Sequence, residues 1–129
     1  MRGRVLIADD EGINRLFVKT VLLNNGWDVK EALNGQEAVE IAAREVFDII
    51  LMDIKMPVMD GREAVRRIRK IPGYHTPGTR IPILGLTAYS DEVVGQETRR
   101  DGMDGLITKP VTEEQLLIQI DSFLSKLRK

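Results

Sequence analysis

Ile49-Ile50-Leu51-Met52 is a continuous apolar run that stops at Asp53. Such a run suits a strand covered on both faces, as in a parallel sheet flanked by helices. Pro57 and Gly61 punctuate the segment after Asp53. Three other stretches read the same way. Val5–Ala8 ends at Asp9-Asp10-Glu11, Ile81–Thr87 ends at Thr87, and Gly105–Thr108 ends at Lys109-Pro110. Pro82 sits near the start of its strand, where a missing N–H is tolerated. A fifth stretch, Trp27–Leu33, carries Lys30 and Glu31 inside it and suits a sheet edge.

Helical patterns separate these strands. Ile13, Leu16, Phe17, Thr20, Val21 and Asn24 recur at helical spacing, and Asn25-Gly26 stops that helix. Asn34 and Glu37 form a capping box for a second helix, which should turn Ala38, Val39, Ala42 and Ala43 inward and end near Glu45. Asp60 and Glu63 cap a third, with Ala64, Val65 and Ile68 on its buried face. Ile71–Arg80 holds two prolines and two glycines and reads as a loop, with His75, the only histidine, exposed in it. Ser90–Asp101 has helical length but only Val93 and Val94 as large apolar anchors. Gly95 costs it about 1 kcal/mol against alanine, so a weakly held helix is expected. Thr112 and Gln115 cap the last helix, with Leu116, Leu117, Ile120, Phe123, Leu124 and Leu127 as its apolar stripe.

Strand and helix alternate five times. This predicts an α/β fold: a doubly wound five-stranded parallel sheet of flavodoxin-like order 2-1-3-4-5. Nothing in the chain reads as a linker or repeat, so residues 1–129 are expected to form one domain. Net charge is −1, which favours neither nucleic acid nor an anionic membrane. With no cysteine, disulfides, thiolate metal sites and a Cys nucleophile are excluded. No stretch approaches a signal-peptide core or a membrane span, so a cytoplasmic protein is expected.

The strand ends carry the chemistry. In the order 2-1-3-4-5 the first and third strands are neighbours, and the crevice between them collects Asp9, Asp10, Asp53, Thr87 and Lys109. Each close pair of carboxylates costs about 4 kcal/mol at an effective dielectric of about 20. Lys109 offsets one charge only. A hard divalent cation suits the rest, since carboxylate oxygens fit Mg²⁺. Acids, cation, amine and hydroxyl together can stabilise a phosphoryl group arriving on a carboxylate, with Asp53 as the nucleophile.

Four motifs stand in order at these strand ends: Leu6-Ile7-Ala8-Asp9-Asp10-Glu11, Leu51–Gly61, Ile83–Ala88 and Lys109-Pro110. With them the chain resembles, over essentially its whole length, the receiver domain of two-component response regulators. Met56-Pro57-Val58-Met59-Asp60-Gly61 and Gly102-Met103-Asp104-Gly105 are most similar to receivers of hybrid histidine kinases and phosphorelays. The resemblance implies that Asp53 is the phosphoacceptor. Asp10, Asp53 and the backbone carbonyl of Lys55 would ligate Mg²⁺, and Asp9 would hold it through water. Lys109 would contact the phosphoryl group, and Thr87 would move to bind it in the switch. The Lys109-Pro110 peptide would be cis. Leu106 departs from the family, which usually has an aromatic switch residue there. Tyr89 and Lys55 occupy positions that tune hydrolysis, and their size predicts a persistent phosphoryl group.

The implied partner is a histidine kinase or histidine phosphotransfer protein, with Ile13 a candidate contact and an ordinary core role its alternative. No nucleic acid or membrane partner is expected, and the protein should be a monomer or weak dimer. Arg62, Arg66, Arg67, Arg69 and Lys70 read as a solvated helix face. Ending with the fifth helix, the chain is expected to be a stand-alone regulator or a module of a larger protein. The protein would catalyse its own phosphorylation and dephosphorylation without turning over an external substrate. Two rivals fare worse. A haloacid-dehalogenase-type phosphatase needs an acid two residues after its nucleophile, where this chain has Lys55. A flavodoxin-like binding module needs a first loop that accepts phosphate, and Asp9-Asp10-Glu11 would repel it.

Overall fold

The computed structural model describes residues 3–74, 81–88 and 92–127. His75 and Tyr89 lie outside them. The chain runs β1 (Gly3–Ala8), α1 (Gly12–Asn24), β2 (Trp27–Ala32), α2 (Gly35–Arg44), β3 (Ile49–Asp53), α3 (Gly61–Ile68), β4 (Ile83–Thr87), α4 (Glu92–Asp101), β5 (Gly105–Thr108) and α5 (Glu113–Leu127). All pairings are parallel, in the order β2-β1-β3-β4-β5. The charged strand β2 is at an edge, as its composition requires. β3 and β4 are buried at every position. Alternate strand residues therefore feed two cores. Leu6, Ile50, Met52 and Ile83 face α2 and α3, while Val5, Ile7, Leu51 and Leu84 face α1 and α5.

The N-caps read in the sequence are formed, though Glu63 accepts from Arg67 at 3.2 Å instead of closing the box on Asp60. Asn34 Oδ1 accepts the Glu37 N–H at 2.9 Å, and Asp60 Oδ1 accepts the Glu63 N–H at 2.9 Å. Thr112 and Gln115 bond reciprocally, at 3.0 and 3.1 Å. Glu37 reaches back one residue further than a capping box requires, to the Leu33 N–H at 3.0 Å. The β3–α3 turn is drawn tight against its own strand. The Gly61 N–H bonds the Ile54 carbonyl at 2.8 Å, and a Cβ on Gly61 would lie 2.0 Å from the Asp53 carbonyl oxygen. Only glycine permits that approach.

Three expectations about packing need correction. On α1 the buried residues are Val18, Val21 and Leu22. The stripe containing Ile13, Leu16 and Phe17 faces water, with Ile13 89% exposed. Ile13 is therefore not core. On α2 the inward residues are Ala38, Ile41 and Ala42, with Val39 partly buried and Ala43 exposed. On α4, Val93 is 62% exposed, and the buried positions are Thr98 and Asp101.

The anchors of α4 are polar. Asp101 accepts from Arg62 Nε at 2.6 Å and from Arg66 Nη1 at 2.7 Å, and Arg62 also reaches Glu97 at 3.0 Å. Arg69 binds the Gly102, Tyr74 and Ile81 carbonyls and, at 2.8 Å, Asp104. Arg62, Arg66 and Arg69 thus tie α3 and its C-terminus to α4 and to the turn before β5, while Arg66, Arg67 and Lys70 are exposed as the solvated-face reading expects.

Candidate phosphoryl-transfer centre

The ends of β1, β3, β4 and β5 converge on one cleft of about 150 Å³, lined by Glu11, Asp53, Ile54, Lys55, Thr87, Ala88 and Lys109. Parallel strands all end at the same edge, so four chain segments distant in sequence deliver their polar residues together. Asp9 is fully buried, Asp53 is 5% exposed and Asp10 is exposed. Carboxylate oxygens of Asp9, Asp10 and Asp53 all lie within 4.8 Å of one another. Lys109 Nζ stands 3.1 Å from Asp53 Oδ2 and 3.6 Å from both Asp9 Oδ2 and Glu11 Oε1.

One amine therefore serves a cluster of acids that outnumbers it. Burial raises the Asp53 carboxyl; Lys109 lowers it and Asp9 raises it again, leaving it at about 6 instead of 3.8. Burial works to lower the Lys109 ammonium, but Asp53 and Asp9 outweigh it and hold the group above its ordinary value. The excess negative charge and an all-oxygen donor set fit a hard divalent cation such as Mg²⁺.

The structure brings together Asp9, Asp10, Asp53, Lys55, Thr87 and Lys109, all named from the sequence. Thr87 ends β4, and the Lys109-Pro110 peptide that follows β5 is cis. Leu106 lies apart, further in from the edge on β5. It packs over Gly85 of β4, where a Cβ would meet Leu106 Cδ2 and Met103 Sδ, each at 2.7 Å. Three participants escape sequence reading: Glu11, which faces Lys109, and Asn14 and Arg15, which hold Asp9. The Asn14 amide donates to Asp9 Oδ2, and Arg15 Nη1 donates to the Asp9 carbonyl at 2.8 Å. For Asn14 and Arg15 the spacing from Asp9 is the available signal, since residues five and six after it fall in the first turn of the next helix.

The sequence model of the response regulator receiver domain matches residues 5–121. The chain belongs to that family. It is 39% identical over 113 residues to the sensor protein GacS of Pseudomonas syringae pv. syringae, covering 88% of this chain and 12% of GacS. It is 32% identical over 125 residues to the sensor histidine kinase RcsC of Salmonella typhi, covering 97% of this chain and 13% of RcsC. The chain thus spans about an eighth of these curated relatives. Among solved structures, chemotaxis protein CheY4 of Vibrio cholerae superposes with a TM-score of 0.88 at 34% identity, covering 95% of this chain and 98% of that one. The receiver domain of sensor histidine kinase PA1611 of Pseudomonas aeruginosa, solved with magnesium coordinated in its active-site cleft, gives 0.86 at 28%, with the same coverages. The five-stranded order and the acidic cleft are those of a receiver in two-component signalling. Among the described residues no helix is long and apolar enough to cross a membrane.

Proposed function

We propose that this receiver takes a phosphoryl group onto Asp53 from a phosphohistidine carried by a histidine kinase or histidine phosphotransfer protein. The observation that carries this is the placement of Lys109 Nζ 3.1 Å from the Asp53 carboxylate, inside a cluster of three aspartates. An Asp53 oxygen attacks phosphorus, the bond from phosphorus to the imidazole nitrogen breaks, and the bonding pair stays with the imidazole. Lys109 and the Thr87 hydroxyl donate to the phosphoryl oxygens. Asp10, Asp53 and the Lys55 carbonyl would hold Mg²⁺, with Asp9 contributing through water. Bound Mg²⁺ supplies the positive charge that the phosphoryl oxygens require. Lys55 lines the cleft, and with Tyr89 it is assigned the slowing of hydrolysis.

The donor must bring its imidazole in line with Asp53, so it must cover the mouth of the cleft. Ile13, Leu16 and Phe17 form an exposed apolar face on α1, which begins three residues after Asp9. An apolar helical surface of a phosphotransfer protein fits that face. This reading carries a cytoplasmic location with it, and a signalling rather than a turnover role. The experiment is intact-mass measurement after incubation with Mg²⁺ and acetyl phosphate. The wild type gains one phosphoryl group and Asp53→Asn gains none; an equal gain in the variant would overturn the assignment.

A further inference from the structure

Asp9 is held from three directions. Its Oδ1 accepts the Glu11 N–H at 2.9 Å, and its Oδ2 accepts the side-chain amide of Asn14 and lies 3.6 Å from Lys109 Nζ. Its backbone carbonyl accepts Arg15 Nη1 at 2.8 Å. Arg15 is itself fixed by Glu31 of β2, Nε to Oε1 at 3.1 Å, and Glu31 by Lys19 at 2.9 Å. Two consecutive residues at the start of α1 therefore grip one fully buried aspartate, one through its side chain and one through its main chain.

The residue type at position 14 matters. A buried ionised carboxylate stays ordered only with donors on its oxygens. A lysine or arginine there would supply a donor but add a fixed positive charge beside the oxygens that a divalent cation must share. An acid would add a negative charge to a cluster already in excess. An apolar residue would leave Oδ2 facing Lys109 alone, at 3.6 Å, beyond ordinary hydrogen-bond distance. A primary amide donates without net charge, so Asp9 is oriented and its full charge remains available.

We infer that Asn14 is a positioning residue of the acidic centre: its amide fixes the Asp9 carboxylate toward the cation held by Asp10 and Asp53, and so sets the strength of Mg²⁺ binding. Arg15 cannot replace it, because Arg15 touches only the main chain of Asp9. The inference rests on the Mg²⁺ assignment proposed above.

The test is calorimetric titration of Mg²⁺ into the metal-free chain, with a urea midpoint measured for each variant. Asn14→Ala should bind Mg²⁺ roughly tenfold more weakly than wild type, at the lower end of what loss of a group that orients a metal ligand costs. Asn14→Gln, which keeps the amide, should recover most of that loss. Asn14→Lys should bind more weakly than Asn14→Ala. In wild type the Asn14 side-chain amide resonances should shift on addition of Mg²⁺. Asp10→Asn serves as the control. If it loses affinity while Asn14→Ala binds like wild type, the role of Asn14 is overturned and the Mg²⁺ assignment stands. A lowered urea midpoint in Asn14→Ala with unchanged affinity would mark the residue as structural and overturn the inference equally. If Asp10→Asn binds as tightly as wild type, the Mg²⁺ assignment fails and the inference falls with it.

Discussion

Asp53 carries its charge against its surroundings. Burial raises its carboxyl and the nearby lysine does not fully compensate, so it sits at about 6 against 3.8 for the free group. Between those values the folded protein keeps a proton that the unfolded chain has released. Stability therefore falls as pH rises through this window and stays lower above it. The difference is on the order of 2–3 kcal/mol. Metal-free Asp53→Asn should accordingly be more stable than wild type by on the order of 2 kcal/mol at pH 7.5, and by close to nothing at pH 4. Urea unfolding in the presence of a chelator at both pH values measures this, and an equal gain at both would contradict it. The acids and the lysine are legible in the sequence because each terminates an apolar run, and parallel strands end at one edge. Glu11 and Asn14 are not. Their approach to Lys109 and Asp9 depends on the turn from β1 into α1, where Glu11 takes extended dihedrals as N-cap and makes no side-chain cap. Composition carries no trace of that turn.

At the scale of elements, periodicity locates the helices but does not always say which face is covered. α1 is apolar on two sides. Ile13, Leu16, Phe17 and Thr20 share helical spacing, and so do Val18, Val21 and Leu22. The strands choose the second set, and the first remains exposed. A charge placed there should damage docking and little else. Ile13→Asp is expected to slow transfer from a cognate phosphohistidine donor at least roughly tenfold, the loss of one buried interface anchor, while acetyl phosphate reacts at the wild-type rate. Equal slowing with both donors would assign Ile13 a structural role. α4 departs from its apolar pattern for a related reason. An apolar count finds Val93 and Val94, whereas the helix is held by a carboxylate. Asp101 is buried between Arg62 and Arg66, and removing one partner of such a cluster strands the others. Asp101→Ala should destabilise the fold by about 1–3 kcal/mol and speed amide exchange selectively in 97–104. Uniform acceleration across the sheet would mean that the ion pairs do not act locally.

For the whole molecule, these anchors limit how the phosphoryl group proposed for Asp53 would be reported elsewhere. The resemblance to receivers implies a switch in which an aromatic ring on β5 turns inward when the Thr87 hydroxyl moves. Here the position is Leu106, already packed over Gly85 and against Met103, where a Cβ on Gly85 would collide with both. A leucine is shorter than an aromatic ring and carries no hydroxyl, so its repacking changes little surface. α4 is different at its two ends. Its C-terminal half is tied to α3 through Glu97 and Asp101, while Val93 near its N-terminus is largely exposed. A segment with few buried contacts is redistributed by a small bias, and a segment held by ion pairs to a buried carboxylate is much less so. The signal should therefore appear as a modest population shift in 92–96, the segment that follows Thr87 most closely in the chain among those of α4. It should leave 97–101 and Leu106 nearly unchanged, with the protein still monomeric or weakly dimeric. Such a response suits a domain that passes a phosphoryl group onward better than one that drives tight assembly. The measurement is amide hydrogen exchange with and without beryllofluoride, paired with sedimentation at micromolar concentration. Strong new protection of β5 and α5 together with a stable dimer would show that Leu106 supports the usual switch, and would overturn the assignment of the response to the first turns of α4.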